Sequence, residues 1–268
     1  MQNDAFHILA PYYDRIMTRV RYDRWESRLL DLQKIIRDKE ENIINHLDVA
    51  CGTGTLIQKL TKHGWNSIGV DISPSMLYTA KQLNHDICVL TGNMCSLPFK
   101  NSFHIITCLF DSINFLLDEE DIYRSVYSMS LSLKENGIIY FDCVTEQMVK
   151  QYYNNSQWKE NYKDFRTVWE SAYNPSTKTA TLSILIQGKG WSVVRQKIYP
   201  LQIYLDAIKE AGLTLLACVD AHTWDHIDSR TVRIDFICSK SPSDFLMHNF
   251  KKIQQKIKIE SELSLRND

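Results

Sequence analysis

Hydrophobic positions change their spacing along the first half of the chain. Near the start they recur every three or four residues, which predicts one buried face of a helix. That face is formed by Trp25, Leu29, Leu32 and Ile36. Short runs that are apolar throughout then follow, with helical patterns between them, at residues 43–50, 65–70, 87–90, 103–109 and 138–143. Strands that alternate with helices predict βαβ units and a mostly parallel sheet, which is the α/β class.

Glycine, proline and capping residues predict where helices begin and end. Ser73 followed by Pro74 is a helix start, and an amphipathic helix over residues 118–134 is expected to stop at Asn136–Gly137. Residues 150–198 break the alternation and predict three antiparallel strands, at 164–173, 177–187 and 191–198. A helix over 200–211 and strands over 213–219 and 231–239 follow. From residue 242 the polar, lysine-rich chain predicts a solvated helical appendage.

Composition and charge narrow the classes of function. The 268 residues include 31 Lys and Arg against 32 Asp and Glu, so a net charge of −1 disfavours non-specific nucleic-acid binding. The longest apolar runs are far shorter than the ~20 residues of a membrane helix. The first residues lack a secretory signal, so a cytoplasmic protein is expected. No His, Cys or acidic set has metal-ligand spacing, so no metal is predicted.

The most informative motif spans residues 47–56, where Asp48 precedes Ala50, Gly52 and Gly54. Glycine allows a tight turn and the close approach of a ligand, and sheets of this class bind ligands at the ends of their strands. A dinucleotide-binding loop requires a third glycine, but Ile57 occupies that position. The motif therefore disfavours a nucleotide-linked oxidoreductase.

Two carboxylates predict a different ligand. Asp48 at the first strand end suits a ligand with an ammonium group. Asp71 lies nineteen residues after Gly52, at the next strand end, where a carboxylate accepts both hydroxyls of a ribose. An adenosine with a positively charged amino-acid tail fits both acids. The predicted cofactor is therefore S-adenosyl-L-methionine, with S-adenosyl-L-homocysteine as its product.

The chain resembles the class I S-adenosylmethionine-dependent methyltransferases over residues 5 to 240. Five segments carry the likeness in the right order, at 47–56, 69–77, 92–99, 103–114 and 133–139. Within that superfamily it is similar to small-molecule methyltransferases with a strand-rich insertion after the fifth strand, a group that includes sugar N,N-dimethyltransferases. That likeness rests on the Tyr-Asp pair near the N-terminus, on Trp169-Glu170 and on Tyr199-Pro200-Leu201.

The resemblance implies a Rossmann-like sheet of seven strands, mostly parallel, in the order 3-2-1-4-5-7-6 with strand seven antiparallel. It implies a methyltransferase domain over residues 1–149 and 199–240, of which 1–40 form an N-terminal helical cap. Residues 150–198 would form an antiparallel β lid, and 241–268 a C-terminal helical tail.

The resemblance also implies a set of cofactor contacts. Met76 and Met94 would flank the adenine, and Asn93, where an aspartate is usual, would present its carbonyl to the adenine amine. Tyr13 and Trp25 would cover the methionyl end, although aromatic residues on such a helix also pack in cores. The implied set is Tyr13, Trp25, Asp48, Ala50, Cys51, Gly52, Gly54, Asp71, Ile72, Met76, Asn93, Met94 and Leu109.

The expected activity is methyl transfer to a small molecule, and the resemblance favours an amine nitrogen. Asp111 is a candidate to orient an amine or take its proton, and His222 is a candidate general base. A loop cap and a surface residue are the respective alternatives. Transfer to oxygen, to a carboxylate or to RNA stays open, as does a non-catalytic sensor or partner subunit that binds the cofactor. A monomer and a homodimer fit the sequence equally.

Overall fold

Eleven strands and eight α-helices make up the part of the chain that the computed structural model describes, residues 4–36, 43–153 and 155–265. The strands are β1 Asn45–Val49, β2 Asn66–Asp71, β3 Cys88–Thr91, β4 Phe103–Cys108, β5 Leu133–Val144, β6 Gln157–Asn161, β7 Arg166–Asn174, β8 Thr179–Ile186, β9 Gly190–Lys197, β10 Thr214–Asp220 and β11 Arg233–Ser239. The helices are α1 Tyr13–Ile16, α2 Tyr22–Leu32, α3 Thr55–Thr61, α4 Pro74–Leu83, α5 Glu119–Ser132, α6 Glu146–Tyr152, α7 Leu201–Glu210 and α8 Asp244–Leu265. None of these described helices is long and apolar enough to cross a membrane.

The larger sheet has seven strands in the order β10-β11-β5-β4-β1-β2-β3. Strand β11 is antiparallel to β5 and to β10, and the other neighbours are parallel. The predicted order and the antiparallel seventh strand are confirmed. Because β1, β2, β4 and β5 are parallel, their carboxyl ends meet at one edge of the sheet. Asp48 lies near the end of β1, Asp71 ends β2 and Asp111 lies in the loop after β4, so all three are near that edge.

Both faces of this sheet are covered, as the uniformly apolar strands predicted. Helices α5 and α7 pack on one face, and their buried side chains include Ile122, Val126 and Tyr204. Helices α2, α3 and α8 pack on the other face. The predicted stripe of Trp25, Leu29 and Leu32 on α2 is confirmed. Ile36 is also buried but lies beyond the helix, and the polar residues 38–42 lie outside the described residues.

The end of α5 differs from the prediction. The helix ends at Ser132, and Leu133 already pairs with Phe103 of β4, so Asn136–Gly137 does not stop it. Pairing with β4 therefore replaces the last helical turn. Asn136 adopts a left-handed conformation, with φ of +59°. Its side-chain oxygen accepts a hydrogen bond from the Ser243 amide at 2.7 Å.

The insertion after β5 contains a sheet of four antiparallel strands in the order β6-β7-β8-β9, one more than predicted. The three predicted strands are confirmed as β7, β8 and β9. Strand β6 escaped prediction because most of its residues are polar and every second one is exposed. Its place is set by a distant contact, since Trp158 stacks on Trp169 of β7 with ring centroids 5.4 Å apart.

Helix α8 is not the solvated appendage that its lysines suggested. Leu246, Phe250 and Ile257 are buried in the core cluster that includes α2 and α3. Lys256 donates hydrogen bonds to the buried Asp31 of α2 at 2.7 and 2.8 Å. One apolar face of the helix is therefore part of the main fold.

Replacing Leu246 tests this packing. Leu246→Ala is expected to lower the free energy of unfolding by roughly 2–3 kcal/mol, because it removes a fully buried side chain. The matched control is Leu263→Ala on the same helix, where the side chain is 53% exposed and an effect below about 0.5 kcal/mol is expected. Urea denaturation measures both, and equal effects would contradict a packed α8.

Candidate active site

The loop after β1 is shaped by left-handed backbone at every second residue. Ala50, Gly52 and Gly54 have φ values of +57°, +56° and +77°. A Cβ at Gly54 would lie 2.1 Å from Ile87 Cδ1, so close packing requires glycine there. A Cβ at Gly52 would meet nothing within 4 Å. The loop therefore curls around open space next to Gly52, as expected for a close backbone approach to a ligand.

Asp71 at the end of β2 stabilises this loop through hydrogen bonds. One carboxylate oxygen accepts the Gly52 amide and the other accepts the Ser73 amide, both at 2.8 Å. Burial raises the pKa of Asp71, and the two backbone hydrogen bonds oppose that rise. Each oxygen keeps one further lone-pair direction. Asp71 thus lies at the end of the second strand, as predicted, and it also stabilises the turn at Gly52.

Asp48 lies on β1, one strand away. Its carboxylate accepts a hydrogen bond from the Thr107 hydroxyl of β4 at 2.6 Å. Burial raises the pKa of Asp48 to about 7, the nearby Asp71 charge adds to the rise, and the Thr107 bond opposes it. The two predicted acids therefore lie near each other at one edge of the sheet.

Cys51 contributes to this loop through its backbone. Its amide donates to the carbonyl of Val70 at 3.1 Å. Burial, with Asp48 and Asp71 nearby, raises the pKa of the Cys51 thiol well above its usual value. The surroundings therefore keep the thiol protonated, and a protonated thiol is a poor nucleophile.

The residues assigned to the adenine end lie beyond β2, β3 and β4 with different exposures. Met76 is buried on α4, whereas Ile72 is 54% exposed directly after Asp71. Asn93 is exposed and uses its side-chain oxygen to accept the Cys95 amide at 2.9 Å. Met94 is half-buried, and Leu109 is buried at the end of β4. Their contacts with an adenine ring remain predictions.

The N-terminal segment lies across the glycine loop. Asp14 accepts a hydrogen bond from the Thr53 hydroxyl at 2.5 Å, and Asp4 accepts one from the Ser73 hydroxyl at 2.8 Å. Tyr13 is half-buried. Burial raises its pKa well above the usual value, and the nearby charges of Asp111 and Asp71 add to the rise. Tyr13 is thus brought to the predicted site.

Trp25 is in a different position. Its ring is 8% exposed and packs edge-to-face between Tyr22 and Phe110, with centroid distances of 5.5 and 6.0 Å. This arrangement favours the packing alternative, in which Trp25 supports the loop after β4 from within the core.

Asp111 begins the loop after β4 in a strained turn. Phe110 and Asp111 both have left-handed backbone, with φ of +60° and +52°, which is rare for residues other than glycine. The Asp111 amide donates to the buried Asp142 at 2.6 Å. Arg233 of β11 bridges the two acids at 2.5 Å from Asp111 and 2.8 Å from Asp142. A closed network therefore stabilises this turn.

Asp111 also connects the loop to the insertion, because its second oxygen accepts a hydrogen bond from Gln196 of β9. With Arg233 on one oxygen and Gln196 on the other, the carboxylate has a fixed orientation. The arrangement favours a role in orienting a ligand over a role as proton acceptor, since both oxygens already accept hydrogen bonds.

His222 follows β10 and is exposed. Its backbone amide donates to Asp220 at 2.8 Å. Desolvation lowers the pKa of His222, and the nearby Arg24, Arg28 and Arg233 charges add to that effect, while Asp220 opposes it. This lower pKa favours the neutral imidazole, and the function of His222 as a base remains a prediction. In the described ranges, no three His, Cys, Asp or Glu side chains are grouped to hold a metal ion.

Sequence reasoning did not single out Thr107, Arg233 or Gln196. Thr107 lies 59 residues from Asp48, and Arg233 lies 122 residues from Asp111. No short motif includes such pairs. The only available signal was their position in predicted strands, since Thr107 lies near the carboxyl end of β4 and Arg233 begins the antiparallel strand β11.

Comparison with known proteins gives consistent matches. Residues 47–137 match a family model described as a methyltransferase domain. A protein of Geobacillus sp. (strain WCH70) with the provisional name of a methyltransferase is 27% identical over 88% of this chain and 100% of its own length. The dTDP-3-amino-3,4,6-trideoxy-alpha-D-glucopyranose N,N-dimethyltransferase of Streptomyces venezuelae is 28% identical over 41% of this chain and 46% of its own. A solved S-adenosylmethionine-dependent methyltransferase from Clostridium acetobutylicum ATCC 824 shares the fold, with a TM-score of 0.73, 22% identity, and coverage of 85% of this chain and 96% of that one.

Proposed function

We propose that this protein, which is an S-adenosylmethionine-dependent methyltransferase of the class I fold, methylates an amine nitrogen of a small molecule. The observation that carries the proposal is the fixed carboxylate of Asp111 at the carboxyl edge of the sheet, tied to Gln196 of the insertion. A carboxylate in that position attracts and orients an amine.

The residues at the sheet edge fit the cofactor. The turn at Gly52 borders open space, and a side chain at position 52 would enter that space. Asp71 keeps lone pairs for two ribose hydroxyls, and Asp48 supplies a carboxylate for the ammonium group. When bound, S-adenosylmethionine supplies a methyl group activated by its positively charged sulfur.

The protein's own residues act mainly by alignment. Holding two reactants in a reactive geometry can contribute roughly 7–11 kcal/mol to a rate enhancement. Asp111 accepts a hydrogen bond from the acceptor amine, which directs the nitrogen lone pair away from the carboxylate. As the nitrogen becomes positively charged, the Asp111 carboxylate stabilises that charge. A neutral amine therefore needs no general base before it reacts.

Three of the relatives support an amine as the acceptor. The Streptomyces venezuelae relative is named for N,N-dimethylation of an amino sugar linked to a nucleotide. Two further relatives carry names of the same kind. A sugar amine or a similar small amine is accordingly the first acceptor class to test.

The test is an assay of methyl transfer with matched panels of amine, hydroxyl and carboxylate acceptors of similar size. We expect product only with amines. Asp111→Asn should raise the KM for the amine about tenfold while affinity for S-adenosylhomocysteine stays within twofold, because asparagine tolerates the left-handed backbone but lacks the charge.

The matched control is Asp118→Asn, which removes one exposed charge a few residues further along the chain. Transfer only to hydroxyl or carboxylate acceptors would overturn the amine proposal. Cofactor binding without transfer to any acceptor would instead favour the sensor or partner-subunit alternative.

A further inference from the structure

A row of buried polar side chains lies behind Asp48 on one face of the larger sheet. Ser67 on β2, His46 on β1 and Thr107 on β4 are respectively 7%, 0% and 0% exposed. Strand register aligns them, because His46 pairs with Ser67 and Asp48 pairs with Thr107. The distances are 3.1 Å from Ser67 Oγ to His46 Nδ1, 2.9 Å from His46 Nε2 to Thr107 Oγ1, and 2.6 Å from Thr107 Oγ1 to Asp48 Oδ1.

The direction of these hydrogen bonds follows from Asp48. An ionised carboxylate only accepts, so the Thr107 hydroxyl donates to it. Thr107 then accepts from His46, which requires the proton on Nε2. His46 Nδ1 in turn accepts from the Ser67 hydroxyl. Nδ1 can accept this bond because the imidazole is neutral, since burial lowers the pKa of His46 to about 3.

We propose that Thr107 and His46 are positioning residues that favour the ionised form of Asp48 and orient its carboxylate for the ammonium group of S-adenosylmethionine. The inference rests on the proposed role of Asp48 in binding that group. Buried polar side chains cost stability unless each of them is hydrogen-bonded. In this row the hydrogen bonds lead from Ser67 through His46 and Thr107 to the Asp48 carboxylate.

Several other groups act on the Asp48 charge. Asp71 on β2 opposes ionisation, and the thiols Cys51 and Cys108 and the phenol Tyr22 of α2 lie close enough to interact with it. The described side chains that interact with Asp48 include no cation, and the Thr107 hydroxyl is the donor that favours its charged form. Loss of that donor therefore raises the pKa of Asp48 above about 7.

The sign of the pH effect follows directly. The ammonium group binds the ionised carboxylate, so affinity for a ligand with the amino-acid tail rises as pH increases through the pKa of Asp48. 5′-Methylthioadenosine has the same nucleoside without the tail. Its affinity should lack this rise, so it reports on the rest of the site.

The experiment measures calorimetric affinities of S-adenosylhomocysteine and 5′-methylthioadenosine from pH 6 to pH 8. For Thr107→Val we expect the midpoint to rise by about one pH unit, which lowers S-adenosylhomocysteine affinity about fivefold at pH 7 and almost tenfold at pH 6, since one pKa unit corresponds to a tenfold change. Methylthioadenosine affinity should be unchanged. Thr107→Ser keeps the hydroxyl and should restore the wild-type profile.

The experiment distinguishes failure of this inference from failure of the proposed role of Asp48. Equal losses for both ligands, or a lower melting temperature with an unmoved pH midpoint, would mean that Thr107 is merely structural and would overturn the inference. If the wild-type protein binds both ligands with the same pH profile, Asp48 does not bind the tail and the proposed role of that acid fails. If Thr107→Val does not fold, His46→Leu replaces it in the test, because it removes the donor to Thr107. We expect His46→Leu to raise the pH midpoint of S-adenosylhomocysteine binding, and an unchanged midpoint would also overturn the inference.

Discussion

Gly52→Val is expected to abolish cofactor binding while the protein remains folded. The valine side chain would enter the open space beside the turn, where the structure has no atom within 4 Å of a Cβ. A β-branched residue also strains a backbone with φ of +56°. Together these effects should cost roughly 4 kcal/mol or more of binding free energy, a loss of about a thousandfold in affinity for S-adenosylhomocysteine.

The control for Gly52→Val is Gly64→Val. Gly64 follows α3, has φ of +81° and likewise has no atom within 4 Å of a Cβ, so its replacement produces similar backbone strain away from the site. Gly52→Ala adds an intermediate step, since Ala50 already tolerates φ of +57°. If Gly52→Val and Gly64→Val bind S-adenosylhomocysteine equally well by calorimetry, the space beside Gly52 is not where the cofactor binds.

Asp71→Ala should give the second largest loss of affinity. A hydrogen bond to a charged group contributes about 1.5–3 kcal/mol, and two ribose hydroxyls are expected on this carboxylate. The substitution also removes the two hydrogen bonds, each of 2.8 Å, that the Gly52 and Ser73 amides donate to Asp71, and their loss loosens the turn. We expect a loss of roughly 3–4 kcal/mol, or several hundredfold, for S-adenosylhomocysteine by calorimetry.

Two variants make the Asp71 result specific. Asp86→Ala removes an exposed acid between α4 and β3 and should leave affinity unchanged. Asp71→Asn keeps one oxygen acceptor and should lie between wild type and alanine. A thermal melt of each variant checks that the fold survives, and wild-type affinity in folded Asp71→Ala would refute the ribose role.

Much of the fold was predictable because its signals are local. The spacing of Trp25, Leu29 and Leu32, the Ser73 cap and the uniformly apolar runs each reflect contacts within one helix or one strand. The order of the strands is not a local property. It was predicted through the resemblance to the class I methyltransferases, and the seven-stranded sheet confirms it.

The elements that escaped prediction depend on distant partners. Strand β6 has a mostly polar composition, and pairing with β7 decides its conformation. The end of α5 is set by the pairing of Leu133 with Phe103. The lysines of α8 conceal a buried face that only its packing against α2 reveals.

The sequence by itself determined the α/β class and the two acids, Asp48 and Asp71, that lie one βα unit apart. It could do so because parallel strands bring their carboxyl ends to one edge, so two acids at successive strand ends must be neighbours. Only the tertiary structure decided how Asp48 and the third acid, Asp111, are held. Thr107, Arg233 and Gln196 reach their partners across strands that are distant in the chain, and strand register and packing, which no short motif encodes, bring them there.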